Sequence, residues 1–303
     1  MALILHIADL QLVSPSSSPA VGTHKVGLVP SGDKTTHHQM LRATLQRLGK
    51  KLSDEGRSID AIVVTGDIAD KNNEGGYQAF LELINALGKA KPAPSRIVVL
   101  PGNHDVAFGL RAGDAHRYDR FVSAIRGAEF VTPLLAGVDG LLDPTTAAAK
   151  HLVTLDDIQI VPIDSSSYSQ VMMDVEISDP SWASLEGILS KPSELAALKR
   201  LRIADAARVS DDQLEAVRTL LAGVTVDGGL PLRIAALHHH LLPVSTSEEV
   251  KTFESLTNLG LVRQFLRDQG FAIVLHGHKH TRFTYVDQVS SCGESSDRPT
   301  QQI

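Results

Sequence analysis

The sequence predicts an α/β fold, and three observations carry that reading. Short, nearly continuous apolar runs rich in Val and Ile recur along its 303 residues. Stretches with apolar residues at helical spacing lie between them. Most of the runs end in a polar or charged residue, and in α/β sheets the carboxyl ends of the strands form the edge where ligands bind. Runs of this kind suit strands buried on both faces, with helices covering the sheet.

Taken in chain order, the first run is Leu3–Ile7, which leads into Asp9. Ser14 to Gln39 is rich in Ser, Pro, Gly and His and reads as an insertion, followed by a helical pattern over Met40–Leu52. The run from Ile59 ends in Gly66 and Asp67, a second helical pattern covers Tyr77–Lys89, and the run from Arg96 ends in Gly102 and Asn103. Ala107 to Lys150 is mixed and Gly-containing and reads as a second insertion. Ile158–Ile163 runs into Asp164, and Ser165 to Arg208 reads as a third insertion, with Met172, Met173 and Trp182 ahead of a short helix. Ser210 is placed to cap a helix over Asp211–Leu221, because its hydroxyl can accept a bond from an otherwise unpaired first-turn N–H. The run from Leu232 ends at His238, a helical pattern covers Leu256–Asp268, and the run from Phe271 ends at His276, Gly277 and His278. Long connections of this type form lids and binding loops. The three insertions, 14–39, 107–150 and 165–208, are therefore expected to shape a substrate pocket or to decorate the surface.

The chemistry-bearing residues begin at Asp9 and end at His280, so a cut at mid-chain would divide them. One catalytic domain is expected over 1–287. The polar stretch 288–303 is expected to be disordered or the start of something truncated.

Composition narrows the class. A hydrophobic share of 43% and a charged share of 21% describe a globular chain able to bury a sizeable core. Lys and Arg total 29 against 35 Asp and Glu, a net charge of -6, so no general attraction to nucleic acid or anionic membrane is expected. Cys292 stands alone and cannot form an intrachain disulfide. No apolar run approaches the roughly 18 residues of a membrane span. The reading is cytoplasmic, with no membrane partner and the oligomeric state left open. No Gly-x-Ser-x-Gly elbow, phosphate-binding Walker loop or His-Glu-x-x-His helix occurs, so water is the expected nucleophile.

The constellation Asp9, Asp67, Asn103, His104, His238, His278 and His280 mixes carboxylate, amide and imidazole donors. These donors suit Mn, Fe, Zn, Ni or Co better than an all-oxygen Ca site or a thiolate Zn site. Hydrolysis of a phosphate ester needs a nucleophile and neutralisation of charge on the transferred group. Two metal ions about 3.5–4 Å apart supply both.

Five ordered blocks, Asp9-Leu10-Gln11, Gly66-Asp67-Ile68-Ala69-Asp70, Gly102-Asn103-His104-Asp105, Leu237-His238-His239 and Gly277-His278-Lys279-His280, resemble the motifs of the calcineurin-like metallophosphoesterases. The resemblance implies a four-layer αββα sandwich of two mixed sheets flanked by helices, and metal-dependent hydrolysis of a phosphomonoester or phosphodiester. It also implies a ligand set. Asp67 would bridge two divalent or trivalent metal ions, Asn103, His238 and His278 would complete one site, and Asp9 and His280 would belong to the other. His104 would contact the phosphate and protonate the leaving oxygen, with Asp105 orienting it. The family's first block reads Asp-x-His, whereas this chain has Gln11. A Gln carbonyl is a weaker donor than imidazole for these metals. Gln11 ligating weakly, water in its place, or a site filled only with substrate all remain open, and the expectation is a working first site of lower or altered metal selectivity.

Other residues have plainer readings. Taken alone, Asp9 would be a turn or cap, and His278 and His280 a solvated pair; the company of the other blocks reverses this. Consecutive strand residues cannot all face one point, so only one of His238, His239 and His240 is expected to ligate. His238 is chosen by its place at the strand end and by the resemblance. His6 and His276 are read as structural, Asp70 as a turn residue near the site, and His24, His37 and His38 as a solvated loop cluster. The competing functions are a metal-binding scaffold weakened by Gln11 and a nuclease subunit. The nuclease is disfavoured by net charge and an aromatic share of 4%, and Arg111, Arg117, Arg120 and Arg126 lining one groove would support it.

Overall fold

Three strands, β1 (Ile4–Ile7), β2 (Ala61–Thr65) and β3 (Ile97–Leu100), form a parallel sheet in that order. Parallel neighbours need crossover connections. Helices α1 (His37–Asp54) and α2 (Glu74–Asn85) lie in those connections. The computed structural model describes residues 2–13, 37–139, 144–172, 179–189, 191, 193–195, 203–224, 230–242, 255–279, 284 and 286. Further along come α3 (Pro144–His151), β4 (Val153–Leu155), β5 (Ile158–Pro162), β6 (Val171–Met172), α4 (Asp179–Ile188), β7 (Ile203–Ala204), α5 (Asp211–Ala222), β8 (Leu232–Ala236), α6 (Leu259–Asp268) and β9 (Phe271–Leu275). The second sheet has the order β4-β5-β8-β9, antiparallel only between β4 and β5. β6 and β7 make a separate antiparallel ribbon.

Alternate side chains of a strand face opposite sides, and the apolar clusters follow that rule. Ala61, Val63, Val98 and Leu100 of the first sheet meet Val153, Ile160, Ile234 and Ala236 of the second in one buried cluster. Ile62, Val64, Ile97 and Val99 pack outward with Tyr77, Phe80, Leu83 and Ile84 of α2 and with Leu52 of α1. Val161 and Ala235 pack outward with Leu214, Val217 and Leu220 of α5 and Val262, Phe265 and Leu266 of α6. The three clusters stack as helices, sheet, sheet, helices, as the resemblance implied, but among the described residues the first sheet is wholly parallel and only the second is mixed. Full burial of each Val, Leu, Ile or Phe side chain among them contributes about 1.5–3 kcal/mol.

Helix boundaries are set by local chemistry. Asn73 caps α2 by accepting from Gly76 N–H at 3.3 Å, so the helix starts ahead of the expected Tyr77. Ser210 caps α5 as expected, accepting from Gln213 N–H at 3.2 Å. Asn258 donates its amide to Val209 O at 2.7 Å, and α6 begins just after it rather than at Leu256.

The second insertion is corrected. Within 107–150, Tyr118, Phe121, Ile125 and Phe130 enter the first core cluster, and Val131 pairs with Val98 beside β3. These residues are part of the core and not decoration. Of the first insertion only 37–39 are described, as the opening turn of α1, and the tail 288–303 lies outside the described residues.

Candidate metal centre

The first turn of the site follows β2. Gly66 has φ 88°, and a Cβ there would stand 2.6 Å from His238 Nδ1 and 2.7 Å from Gly102 N, so the position accepts only glycine. The chain then places Asp67, whose Oδ1 accepts His104 N–H at 3.0 Å and whose Oδ2 accepts the Gln11 amide at 3.2 Å. Asp9 Oδ1 accepts His278 N–H at 2.7 Å, which ties the end of β1 to the turn after β9. Asp9, Gln11, Asp67 and His278 have φ values of 54°, 43°, 51° and 76°. Left-handed backbone at residues other than glycine costs on the order of 1–3 kcal/mol each and collects at functional sites.

His238 is fully buried at the end of β8. Its Nδ1 lies 2.8 Å from Thr65 O, an acceptor only, so Nδ1 carries the hydrogen. Its Nε2 faces Asn103 Oδ1 at 3.1 Å and Asp67 Oδ1 at 3.4 Å. Asn103 turns its amide nitrogen away, donating to Asp205 Oδ2 at 3.4 Å. With Nε2 bare, three electron-donating atoms converge, and either a proton on Nε2 or a metal cation placed among them removes the repulsion. The residues thus fit a metal ion. Burial alone would lower the His238 pKa, yet the Asp67 and Asp9 carboxylates and the Thr65 carbonyl raise it above the ordinary imidazole value, so the position favours positive charge. Donor atoms of Asp9, Asp67 and His238 lie within 4.8 Å of one another, as do those of His238, His239 and His278.

His239 and His240 are buried beside His238. His239 Nδ1 meets Ser165 Oγ at 2.9 Å, and burial together with the adjacent imidazoles holds its pKa well below the ordinary value, so it is neutral. His240 stacks on His278 at 5.9 Å. His6 Nε2 meets Thr65 Oγ1 at 2.9 Å. His280 and His24 lie outside the described residues, as does the His37 side chain.

One assignment needs correction. Asp105 does not orient His104. Its fully buried carboxylate accepts the backbone N–H groups of Ile68, Ala69 and Gly102, which bind the turn after β2 to the turn after β3. Burial, then the neighbouring Asp67 charge, pushes Asp105 up to about 6 against those three bonds. The partner of His104 Nδ1 is Asp70 Oδ1 at 3.3 Å, from the turn Asp70–Asn72.

Three of the four arginines named for a nucleic-acid groove are committed elsewhere. Arg117 is fully buried and donates to the carbonyls of Ser166, Ser167 and Ser169. Arg120 donates to Asn72 O, and Arg126 forms a two-pronged pair with Asp139 at 2.9 and 2.7 Å. Among the described residues, no helix is long and apolar enough to cross a membrane.

Comparison with known proteins adds three findings. A family model described as calcineurin-like phosphoesterase matches residues 2–282. Among solved structures, a purple acid phosphatase from yellow lupin (Lupinus luteus) seeds is similar at 12% identity with a TM-score of 0.45; the match covers 91% of this chain and 37% of that one. None of the curated proteins matches the sequence.

Proposed function

We propose, from the premise that the chain belongs to the calcineurin-like phosphoesterase family, that it hydrolyses a phosphoester at two transition-metal ions in one catalytic domain over 1–287. The convergence of His238 Nε2, Asn103 Oδ1 and Asp67 Oδ1 carries this reading. Asp67, Asn103, His238 and His278 would hold one ion, and Asp9, Asp67 and His280 the other, with Mn, Fe, Zn, Ni and Co all compatible with such donors. When bound, the ions acidify the attacking water and neutralise charge on the phosphoryl oxygens.

The chain's own residues supply the rest. Thr65 O fixes the His238 tautomer, and His104 N–H anchors Asp67. With Nδ1 held against Asp70, Nε2 is the His104 atom that would serve the substrate. Water adds to phosphorus and loses a proton to solvent, the bond to the leaving oxygen breaks with its electron pair on that oxygen, and His104 Nε2–H would give that oxygen a proton, later regained from solvent. No covalent enzyme intermediate is needed. The test is turnover of an aryl phosphate and a bis-aryl phosphate by the Mn-loaded protein, before and after chelation. Absence of turnover on both, together with absence of bound metal, would sink the reading.

A second reading, a metal-binding scaffold with lost turnover, draws on one observation. Gln11 offers its amide nitrogen to Asp67 Oδ2, a donor where the family has imidazole. Activity appearing only in Gln11→His would favour it.

A further inference from the structure

We infer that Asp205, a residue of the third insertion, is a positioning residue that sets which atom of Asn103 faces the metal centre; the inference rests on the function proposed above. An asparagine side chain has two nearly isosteric ends, one accepting and one donating, and the surroundings decide which way it turns. Asn103 is buried, and on one side lies His238 Nε2, on the other the Asp205 carboxylate. With the amide nitrogen towards Asp205, a hydrogen bond forms and Oδ1 is delivered to the centre. Turned over, Oδ1 would meet a carboxylate oxygen and the amide N–H groups would point where a cation must sit. Asp205 therefore penalises the orientation that cannot ligate.

The carboxylate is itself held in place. In the β6–β7 ribbon, Val171 pairs with Ala204, so Gln170 and Asp205 fall opposite each other at its end. Gln170, with φ 57°, donates its amide to Asp205 Oδ2 at 2.7 Å. Ala206 N–H is bound by Tyr168 O at 3.2 Å, and the fully buried Arg117 clamps the carbonyls on either side of Tyr168, those of Ser167 and Ser169. Asp205 belongs to neither of the groups of His and Asp side chains whose donor atoms lie within 4.8 Å of one another. Its action on the metal runs through Asn103.

The test is a double-mutant cycle on the full chain, stripped by chelator and titrated with Co(II), reading the dissociation constant by calorimetry and the coordination by visible absorption. Removing a partner that orients a ligand typically lowers metal affinity about 10–100-fold. Asp205→Ala should do so in the wild-type background and change the Co(II) spectrum, yet move affinity less than about 2-fold in an Asn103→Ala background, because coupled residues are non-additive. Asp205→Asn, which keeps the side-chain shape and one acceptor oxygen, should fall between and serves if the alanine variant does not fold. Wild-type affinity in both Asp205 variants, or an equal loss in both backgrounds, would overturn the inference. Failure of the wild-type chain to bind Co(II) would instead overturn the proposed function, and the inference with it.

Discussion

Gly102→Ala perturbs the site by one methyl group, and its effect can be worked from geometry. The added Cβ would lie 2.2 Å from Asp67 Oδ1 and 2.3 Å from Asp67 N, against 3.4 Å or more for an ordinary contact. Because one of the two atoms is backbone, a rotamer change cannot relieve the clash. The turns after β2 and β3 must separate by about 1 Å, whereas functional constellations tolerate about 0.5 Å. Overpacking costs about 1–3 kcal/mol, partly offset by the roughly 0.4–1 kcal/mol that Gly→Ala gains by restricting the unfolded chain. A net loss of about 1–2 kcal/mol should lower the melting temperature by roughly 1.5–3 °C for a chain of 303 residues. Metal affinity should fall at least about 10-fold, since Asp67 and Asn103 sit on the two separated turns. Calorimetric melting of the stripped protein and Mn titration measure the two effects. Gly187→Ala is the control, because a Cβ at this position near the end of α4 meets nothing within 4 Å; it should leave metal binding unchanged and slightly raise stability. A Gly102→Ala protein that melts and binds Mn like the wild type would refute the packing argument.

Three further outcomes are expected. His104→Asn should lower kcat about 10²–10⁴-fold with metal content unchanged, and Asp70→Asn should have a smaller effect in the same direction, both read by steady-state kinetics; loss of metal in His104→Asn would assign it a different role. Gln11→His should raise the affinity for the more weakly held ion, measured by calorimetry with Mn. Asp139→Asn should destabilise the fold by about 1–3 kcal/mol at neutral pH, since it breaks charge-assisted bonds. Burial raises the Asp139 pKa, but the Arg126 guanidinium and Leu135 N–H outweigh it and hold the group below its ordinary value. A depressed folded-state pKa stabilises above the unfolded value of about 3.9 and loses that stabilisation as pH falls through the folded value. The gap between wild type and variant in denaturant melts should therefore close below about pH 4.

The strand ends were legible because each buried strand is an apolar run and each turn that follows carries a glycine or a polar residue. That pattern located Asp9, Asp67, Asn103 and His238, and the structure brings these residues together. Asp205 was not legible, being 102 residues from Asn103 and in a stretch without periodicity. The core role of 107–150 was hidden for a related reason. Ala115–Arg126 is built of 3-10, α and π turns in succession, so its apolar residues follow no single helical period. Asp105 was misassigned because adjacency to His104 in sequence says nothing of direction, and its carboxylate points to the backbone of the turn after β2.

The central claim is that the atoms gathered around His238 Nε2 hold metal, and metal content tests it most directly. Elemental mass spectrometry on protein purified without chelator should find about two transition-metal ions per chain after supplementation with Mn, as a two-ion site requires. Asp67→Ala, which removes the shared carboxylate, should lose both. A wild-type chain free of metal even after reloading, or an Asp67→Ala variant with unchanged content, would contradict the account.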